Sequence, residues 1–110
     1  MANGNQEPLL QQSQFDADGF IIDPGLWNED MAQLIARAYG IGNLTARHWR
    51  VIHYLRERFL ENHTIPVMRH VCRVTHQNPL CVTDLFGEDV KEAWRVAGLP
   101  NPGEEAKAYM

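Results

Sequence analysis

The sequence Ala93-Trp94-Arg95-Val96-Ala97-Gly98-Leu99-Pro100-Asn101-Pro102 says more about the architecture of this chain than any other stretch. Apolar residues at helical spacing lead up to Gly98, a residue type that commonly ends a helix in the left-handed conformation. Two prolines at alternate positions then hold the following backbone extended. The stretch therefore predicts a last helix over about Glu88 to Ala97, followed by a semi-rigid C-terminal arm.

The sequence before this stretch predicts further helices behind a short β-hairpin. Asp18-Gly19 is a two-residue turn signal between apolar residues, which indicates the hairpin. Asn28 and Thr45 suit the N-caps of two helices, Pro66 suits the first position of a third, and Asn78-Pro79 repeats the cap-and-proline pattern for a fourth. We expect a mainly α fold, a small bundle of about five helices with an extended C-terminal arm.

Composition indicates one small folded domain. The chain has 110 residues, 45% of them apolar and 22% charged, enough for one modest core. No apolar run approaches the roughly 18 residues that span a bilayer, and the polar N-terminus lacks the features of a signal peptide. We therefore expect a cytoplasmic protein without membrane insertion, with a flexible lead over 1–13, a helical domain over 14–98 and the arm over 99–110.

Five motifs along the chain resemble those of one known family. They are Phe15-Asp16-Ala17-Asp18-Gly19-Phe20, Trp27-Asn28-Glu29-Asp30, Leu44-Thr45-Ala46-Arg47-His48-Trp49, Ile65-Pro66-Val67-Met68-Arg69 and Ala97-Gly98-Leu99-Pro100-Asn101-Pro102. In this order they are similar to the DsrC/TusE/DsvC family of sulfur-relay proteins, over about residues 14 to 102. The resemblance implies a DsrC-like fold and a protein partner of the sulfur-transfer or sulfite-reductase type that receives the arm.

The same resemblance implies that the thiol chemistry of the arm is missing. The arm of the family ends in a sulfur-carrying cysteine, and the matching position here is Glu105. Two-cysteine members have a second cysteine eleven residues earlier, where this chain has Trp94. Neither replacement forms a persulfide or a disulfide. The resemblance thus implies a docking or regulatory protein without catalytic residues, which binds through Gly98, Leu99, Pro100, Asn101, Pro102 and Glu105.

The two cysteines of the chain, Cys72 and Cys81, allow a second interpretation. Either is a possible substitute sulfur carrier, or the pair forms a reversible disulfide, although a relay needs a reachable thiolate and both lie in helix-forming segments. Cys72 and His76 also stand four residues apart, which brings two metal-ligand types to one helix face. No paired Cys-x-x-Cys or His-x-x-x-His motif accompanies them, so we expect no metal and no cofactor.

Positive charge is concentrated in the middle of the chain. Residues 47–73 contain six arginines and two glutamates, although the whole chain has a net charge of −4. Four of these arginines, which we call the basic face, are Arg47, Arg50, Arg69 and Arg73. They are either solvated helix surfaces with local ion pairs or the site of an anionic partner.

A helix-turn-helix DNA-binding regulator is the third interpretation. The third and fourth predicted helices, joined at Gln77-Asn78, have the outline of that motif. Two features argue against it. The segment Pro79–Phe86 offers almost no side chain of the type that reads base edges, and the acidic remainder of the chain repels DNA.

Overall fold

Six helices account for most of residues 12–108, the part of the chain that the computed structural model describes. Two single-turn 3₁₀ segments, Gln12–Gln14 and Pro24–Leu26, precede them. The mainly α fold is confirmed, and the helix beyond the expected five lies in the arm. The predicted lead over 1–13 falls outside the described residues except for its last two. The helices are α1 (Glu29–Ala38), α2 (Ala46–Asn62), α3 (Met68–Val74), α4 (Cys81–Phe86), α5 (Lys91–Val96) and α6 (Glu104–Lys107).

The long helix α2 lies at the centre of the packing. It contacts α3, α4 and α5, and α5 in turn contacts α1 and α4. Its Val51, Ile52 and Leu55 are fully buried, because residues three and four apart share one face of a helix. Trp94 of α5 is the largest fully buried side chain of the core. The end of α5, where the arm starts, is therefore anchored against the centre of the bundle.

His48 joins the start of α2 to the end of α4. Its Nδ1 accepts a hydrogen bond from the backbone N–H of Thr45 at 3.0 Å, so Nε2 carries the ring proton and donates to the Leu85 carbonyl at 2.9 Å. Burial lowers the pKa of His48 below its ordinary value, which favours this neutral ring. His48 is therefore a buried, neutral packing residue at the start of α2.

The predicted N-terminal β-hairpin is not confirmed. Within residues 12–108 there is no strand, and a single antiparallel bridge joins Phe15 to Ile21. The Asp16 carboxylate accepts hydrogen bonds from the backbone N–H groups of Asp18 at 2.9 Å and Phe20 at 3.0 Å. An aspartate that bonds the backbone of its own turn competes with a strand ladder for those donors, so the segment forms a compact turn instead.

Three helices begin later than their sequence signals predict. The first helical hydrogen bond of α3 runs from the Val71 N–H to the Val67 carbonyl, so Pro66 precedes the helix instead of opening it. Helix α4 begins at Cys81, after a turn in which the Leu80 N–H donates to Asn78 Oδ1 at 2.8 Å. Helix α5 begins at Lys91 instead of near residue 88, after a turn in which the Lys91 N–H donates to the Asp89 carboxylate at 3.0 Å. None of these shifts moves a core residue. No helix within residues 12–108 has the length and apolar character needed to cross a membrane.

Candidate functional site: the docked arm and the basic face

The arm starts at Gly98, which is held against Trp27. Gly98 has a φ of +67° and its N–H donates to the Arg95 carbonyl at 3.0 Å, so the predicted helix end is confirmed. A Cβ at this position collides with the Trp27 side chain, whose Nε1 donates to the Val96 carbonyl at 2.9 Å. The position thus needs glycine both for its backbone conformation and for space. Leu99, the next residue, is fully buried in the core.

Arg56 of α2 binds the start of the arm, residues 97–100, which we call the root. Its Nη1 donates to the carbonyls of Ala97 at 2.9 Å and Gly98 at 3.0 Å, and its Nη2 donates to the Pro24 carbonyl at 3.2 Å. The guanidinium carbon also lies 4.1 Å from the centre of the Trp27 ring. Burial lowers the pKa of Arg56, but an arginine stays protonated at neutral pH. Carbonyls at the end of a helix lack intrahelical hydrogen-bond donors, and Arg56 donates to two of them at the end of α5.

Arg56 was not among the predicted site residues, although its position in the sequence indicates a partly buried arginine. It lies four residues after Ile52 and three before Phe59, within the apolar stripe of α2. An arginine in such a stripe faces the core and needs acceptors there, because a buried charge is costly without partners. The acceptors themselves are remote in sequence, the nearest being 32 residues away at Pro24.

Trp94, at one of the two positions that the resemblance assigns to a cysteine, lies inside the core. Its Nε1 donates to the Pro100 carbonyl at 2.7 Å, and its ring meets Phe59 edge-on with 5.7 Å between centroids. A buried tryptophan contributes a large apolar surface and one donor that needs a partner. Here that donor ties the first residues of the arm back to α5.

The rest of the arm, residues 101–108, which we call the tip, folds back onto the N-terminal turn. It is extended only as far as Gly103, after which α6 forms. Asn101 Nδ2 donates to the carboxylates of Asp16 at 2.9 Å and Asp18 at 3.2 Å. Lys107 Nζ lies 2.7 Å from Asp18 Oδ2 and 3.0 Å from Glu104 Oε2. The arm is therefore docked at both its root and its tip.

These contacts shift the pKa values of the groups at the tip. The hydrogen bonds from Lys107 and Asn101, together with the charge of Lys107, lower the pKa of Asp18. The hydrogen bonds to Asp18 and Glu104 raise the pKa of Lys107. Both groups are therefore charged across the neutral range. Glu105 lies on α6 between Glu104 and Lys107, and its side chain is exposed.

Cys72 and Cys81 form a disulfide that joins α3 to α4. Their Cα atoms are 5.7 Å apart and both side chains are fully buried. In this state neither residue offers the thiolate that a sulfur relay requires. The Cys72 sulfur is also engaged, so it does not combine with His76 as a pair of metal ligands.

The four arginines of the basic face are all exposed, two of them on α2 and two on α3. Arg47 Nε donates to Gln77 Oε1 at 2.8 Å, which connects the start of α2 to the segment after α3. By contrast, α4 suits base reading poorly. It has six residues and buries Cys81, Val82 and Phe86. Its exposed side chains are Thr83 and Asp84, neither of which is among the usual partners of guanine or adenine.

Comparison with known proteins points to one family. A family model described as "DsrC like protein" matches residues 9–104. The sulfurtransferase TusE homolog of Haemophilus influenzae is 34% identical, over 81% of this chain and 88% of that protein. The sulfurtransferase TusE of Sodalis glossinidius is 36% identical, over 79% of this chain and 87% of that protein.

Solved structures agree with these sequence matches. The oxidized gamma-subunit of the dissimilatory sulfite reductase (DsrC) from Archaeoglobus fulgidus superposes with a TM-score of 0.71 at 30% identity, covering 82% of this chain and 89% of the subunit. A chain of dissimilatory sulfite reductase I (DsrI) gives a TM-score of 0.73 at 27% identity, covering 81% of this chain and 86% of its own length.

Proposed function

This chain belongs to the DsrC-like family of sulfur-relay proteins, and we propose that it acts there as a docking or regulatory partner that delivers no sulfur. In this proposal its arm binds a complex of the sulfur-transfer or sulfite-reductase type. The observation that carries the proposal is the arm itself. Arg56 holds the carbonyls of Ala97 and Gly98, where the arm begins, while Glu105 is exposed at the position that the resemblance assigns to the carrier cysteine.

A docked root favours binding by the arm. Arg56, Trp94 and Leu99 fix the direction in which the arm leaves the bundle, so less conformational freedom is lost when a partner receives it. Only weak, exposed contacts hold the tip, and surface ion pairs contribute little. The tip can therefore release from Asp18 and enter a partner while the root stays in place.

Glu105 gives the tip a charge that suits competition with a carrier. A carboxylate is anionic at neutral pH, as a thiolate is, and it accepts hydrogen bonds with two oxygens. Because it has no sulfur to exchange, it occupies a sulfur-accepting site without reacting there. We infer that the protein modulates the access of cysteine-bearing relatives to their shared partner.

A sulfur-loading experiment tests the absence of carrier chemistry. The chain, with and without prior reduction by a dithiol, is incubated with a cysteine desulfurase and cysteine, and bound sulfur is located by mass spectrometry. We expect no added sulfur on the chain, whereas Glu105→Cys should accept sulfur at residue 105. A persulfide on Cys72 or Cys81 at a yield similar to that of Glu105→Cys would make the chain an active carrier and overturn the proposal.

A binding experiment tests the role of the arm. The full chain is compared with a version ending at Gly103, using a sulfurtransferase or sulfite-reductase complex that binds a cysteine-bearing relative from the same organism. A cut after Gly98 is unsuitable, because it removes the buried Leu99 and the Pro100 carbonyl that pairs with Trp94. We expect the full chain to compete with the relative and the shortened chain to fail. Equal competition by both versions would contradict the proposal.

A further inference from the structure

Two of the four arginines of the basic face line one groove, and no arm residue is among the residues that line it. Arg69 and Arg73 of α3 line a groove of about 440 Å³, together with Gln77 and Pro79 from the segment after α3. Gln77 binds Arg47 Nε, so the start of α2 borders the same groove. The tertiary structure thus brings arginines that are 26 positions apart in sequence, Arg47 and Arg73, to one surface.

Within residues 12–108 these arginines lack the acidic partners that Lys91, Arg95 and Lys107 have. Among the described residues, no carboxylate lies within 4.0 Å of the guanidinium of Arg47, Arg50, Arg69 or Arg73. Arg73 Nη2 instead lies 2.9 Å from the His70 ring, which is neutral when it accepts a hydrogen bond. A cluster of exposed, unpaired guanidinium groups attracts anionic groups, with a strength that depends on salt.

The groove is also apolar, which distinguishes it from a surface that only follows phosphates. Val67 at its edge is 72% exposed, and Leu80, next to Pro79, is 65% exposed. These are the two most exposed large apolar side chains of the described residues. Interleaved arginines and apolar side chains are typical of the central part of protein–protein interfaces.

We propose that this groove binds an acidic segment of a partner protein in which aspartates or glutamates alternate with aliphatic side chains. Its carboxylates pair with Arg69 and Arg73, whose forked donors match carboxylate geometry, and its aliphatic side chains pack on Val67 and Leu80. This second docking surface goes beyond the proposed function of the arm, because it uses other residues. The two surfaces together allow a partner to be held at two points.

Nucleic acid fits the groove less well than an acidic protein segment. Single-stranded nucleic acids usually stack their bases on several aromatic side chains, whereas one aromatic ring lines this groove, that of the half-buried His70, which is hydrogen-bonded to Arg73.

The experiment uses the full chain and a fluorescent peptide in which glutamates alternate with leucine and glycine. Binding is followed by anisotropy at low salt and located by NMR shifts of backbone amides. We expect shifts at Val67, Arg69, Arg73 and Leu80, no binding of the matched glutamine peptide, and at least about a tenfold loss of affinity in Arg69→Glu/Arg73→Glu. Arg37→Glu, a charge reversal of an exposed arginine on α1, is the control and should bind the peptide as the parent chain does.

Three results would overturn the proposal: no binding of the glutamate peptide at low salt, equal affinity in Arg69→Glu/Arg73→Glu, or tighter binding of single-stranded RNA or duplex DNA at the same residues. The chain ending at Gly103 separates this proposal from that for the arm. It should bind the glutamate peptide normally even though it no longer competes for the sulfur-transfer complex. Loss of peptide binding on that truncation would assign the acidic segment to the arm and contradict an independent groove.

Discussion

At the arm, cations are paired inside the molecule, whereas on the basic face they are left to solvent. Arg56 donates to three backbone carbonyls, and Lys107 lies between two carboxylates. Arg95 lies 3.8 Å from both Asp89 and Glu92. On the basic face, Arg69 and Arg73 have no carboxylate partner among the described residues. The same residue type therefore stabilises the fold in one region and is available for binding in the other.

The difference follows from what surrounds each cation. Next to Arg56 the chain ends a helix, and its terminal carbonyls need donors that water cannot supply at a packed site. Next to Arg69 and Arg73 the helix surface is open, and water satisfies the guanidinium groups. A cation with internal partners is expected to matter for the free energy of unfolding. A cation without them is expected to matter for affinity.

The largest effect on stability is expected at the root of the arm, from Gly98→Ala. We expect the free energy of unfolding to fall by about 2–4 kcal/mol, because the left-handed conformation is unfavourable for alanine and the added Cβ must displace Trp27. Urea denaturation measures the change. Gly40→Ala is the matched control, since Gly40 also has a positive φ, of +79°, but has open space around its Cβ position. Equal losses in the two variants would show that Trp27 does not restrict residue 98.

A smaller loss is expected from Arg56→Met, which keeps the apolar stem and removes the donors. We expect about 2–3 kcal/mol, because the carbonyls of Ala97 and Gly98 lose a charged partner at a packed site. Arg50→Met on the same helix is the control and should change the free energy of unfolding by less than about 0.5 kcal/mol. If the two substitutions cost the same, the contrast between paired and unpaired arginines has no energetic basis.

The tip of the arm should respond to pH without unfolding the bundle. The docked pKa of Asp18 lies below its ordinary value of 3.8, so its contribution is complete above that pH and is lost as pH falls through the docked pKa. The docked pKa of Lys107 is raised above 10.5, so its contribution is complete below that value and is lost at higher pH. We expect the protection factors of the α6 amides to be higher at neutral pH than below about pH 4, where the contribution of Asp18 is lost.

Asp18→Asn is the test of that assignment. It should speed the hydrogen exchange of α6 at neutral pH, remove part of the acid dependence, and leave the exchange of α2 unchanged. If Asp18→Asn keeps the full acid dependence, Asp16 is the group responsible. Burial raises the pKa of Asp16, but the hydrogen bonds from Asn101 and from the turn outweigh burial and lower it.

The smallest effect, and one of opposite sign, is expected on the basic face. Arg69 and Arg73 are four residues apart on α3, where like charges repel. We expect Arg69→Gln to raise the free energy of unfolding by a few tenths of a kcal/mol, since it relieves that repulsion. Thermal and urea denaturation at low and high salt provide the measurement, with a difference that shrinks as salt rises. A clear loss of stability would indicate an internal partner for Arg69.

Sequence patterns were sufficient for features that depend on neighbouring residues. Asn28 marked the start of α1, Thr45 marked the start of α2, and Gly98 marked the end of α5. Each of these depends on backbone hydrogen bonds or helical geometry within a few residues. The hairpin failed for a local reason too, because the Asp16 side chain took the donors that a strand needs.

Only the tertiary structure decided how distant parts of the chain meet. The bond of Arg56 to Gly98 joins residues 42 positions apart, and that of Lys107 to Asp18 joins residues 89 apart. The Cys72–Cys81 disulfide and the grouping of Arg47 with the α3 arginines likewise depend on how helices pack. A sequence pattern records which face of a helix is apolar, but many packings bury that face equally well. The choice among them rests on volume, shape and hydrogen-bond partners contributed by the whole core.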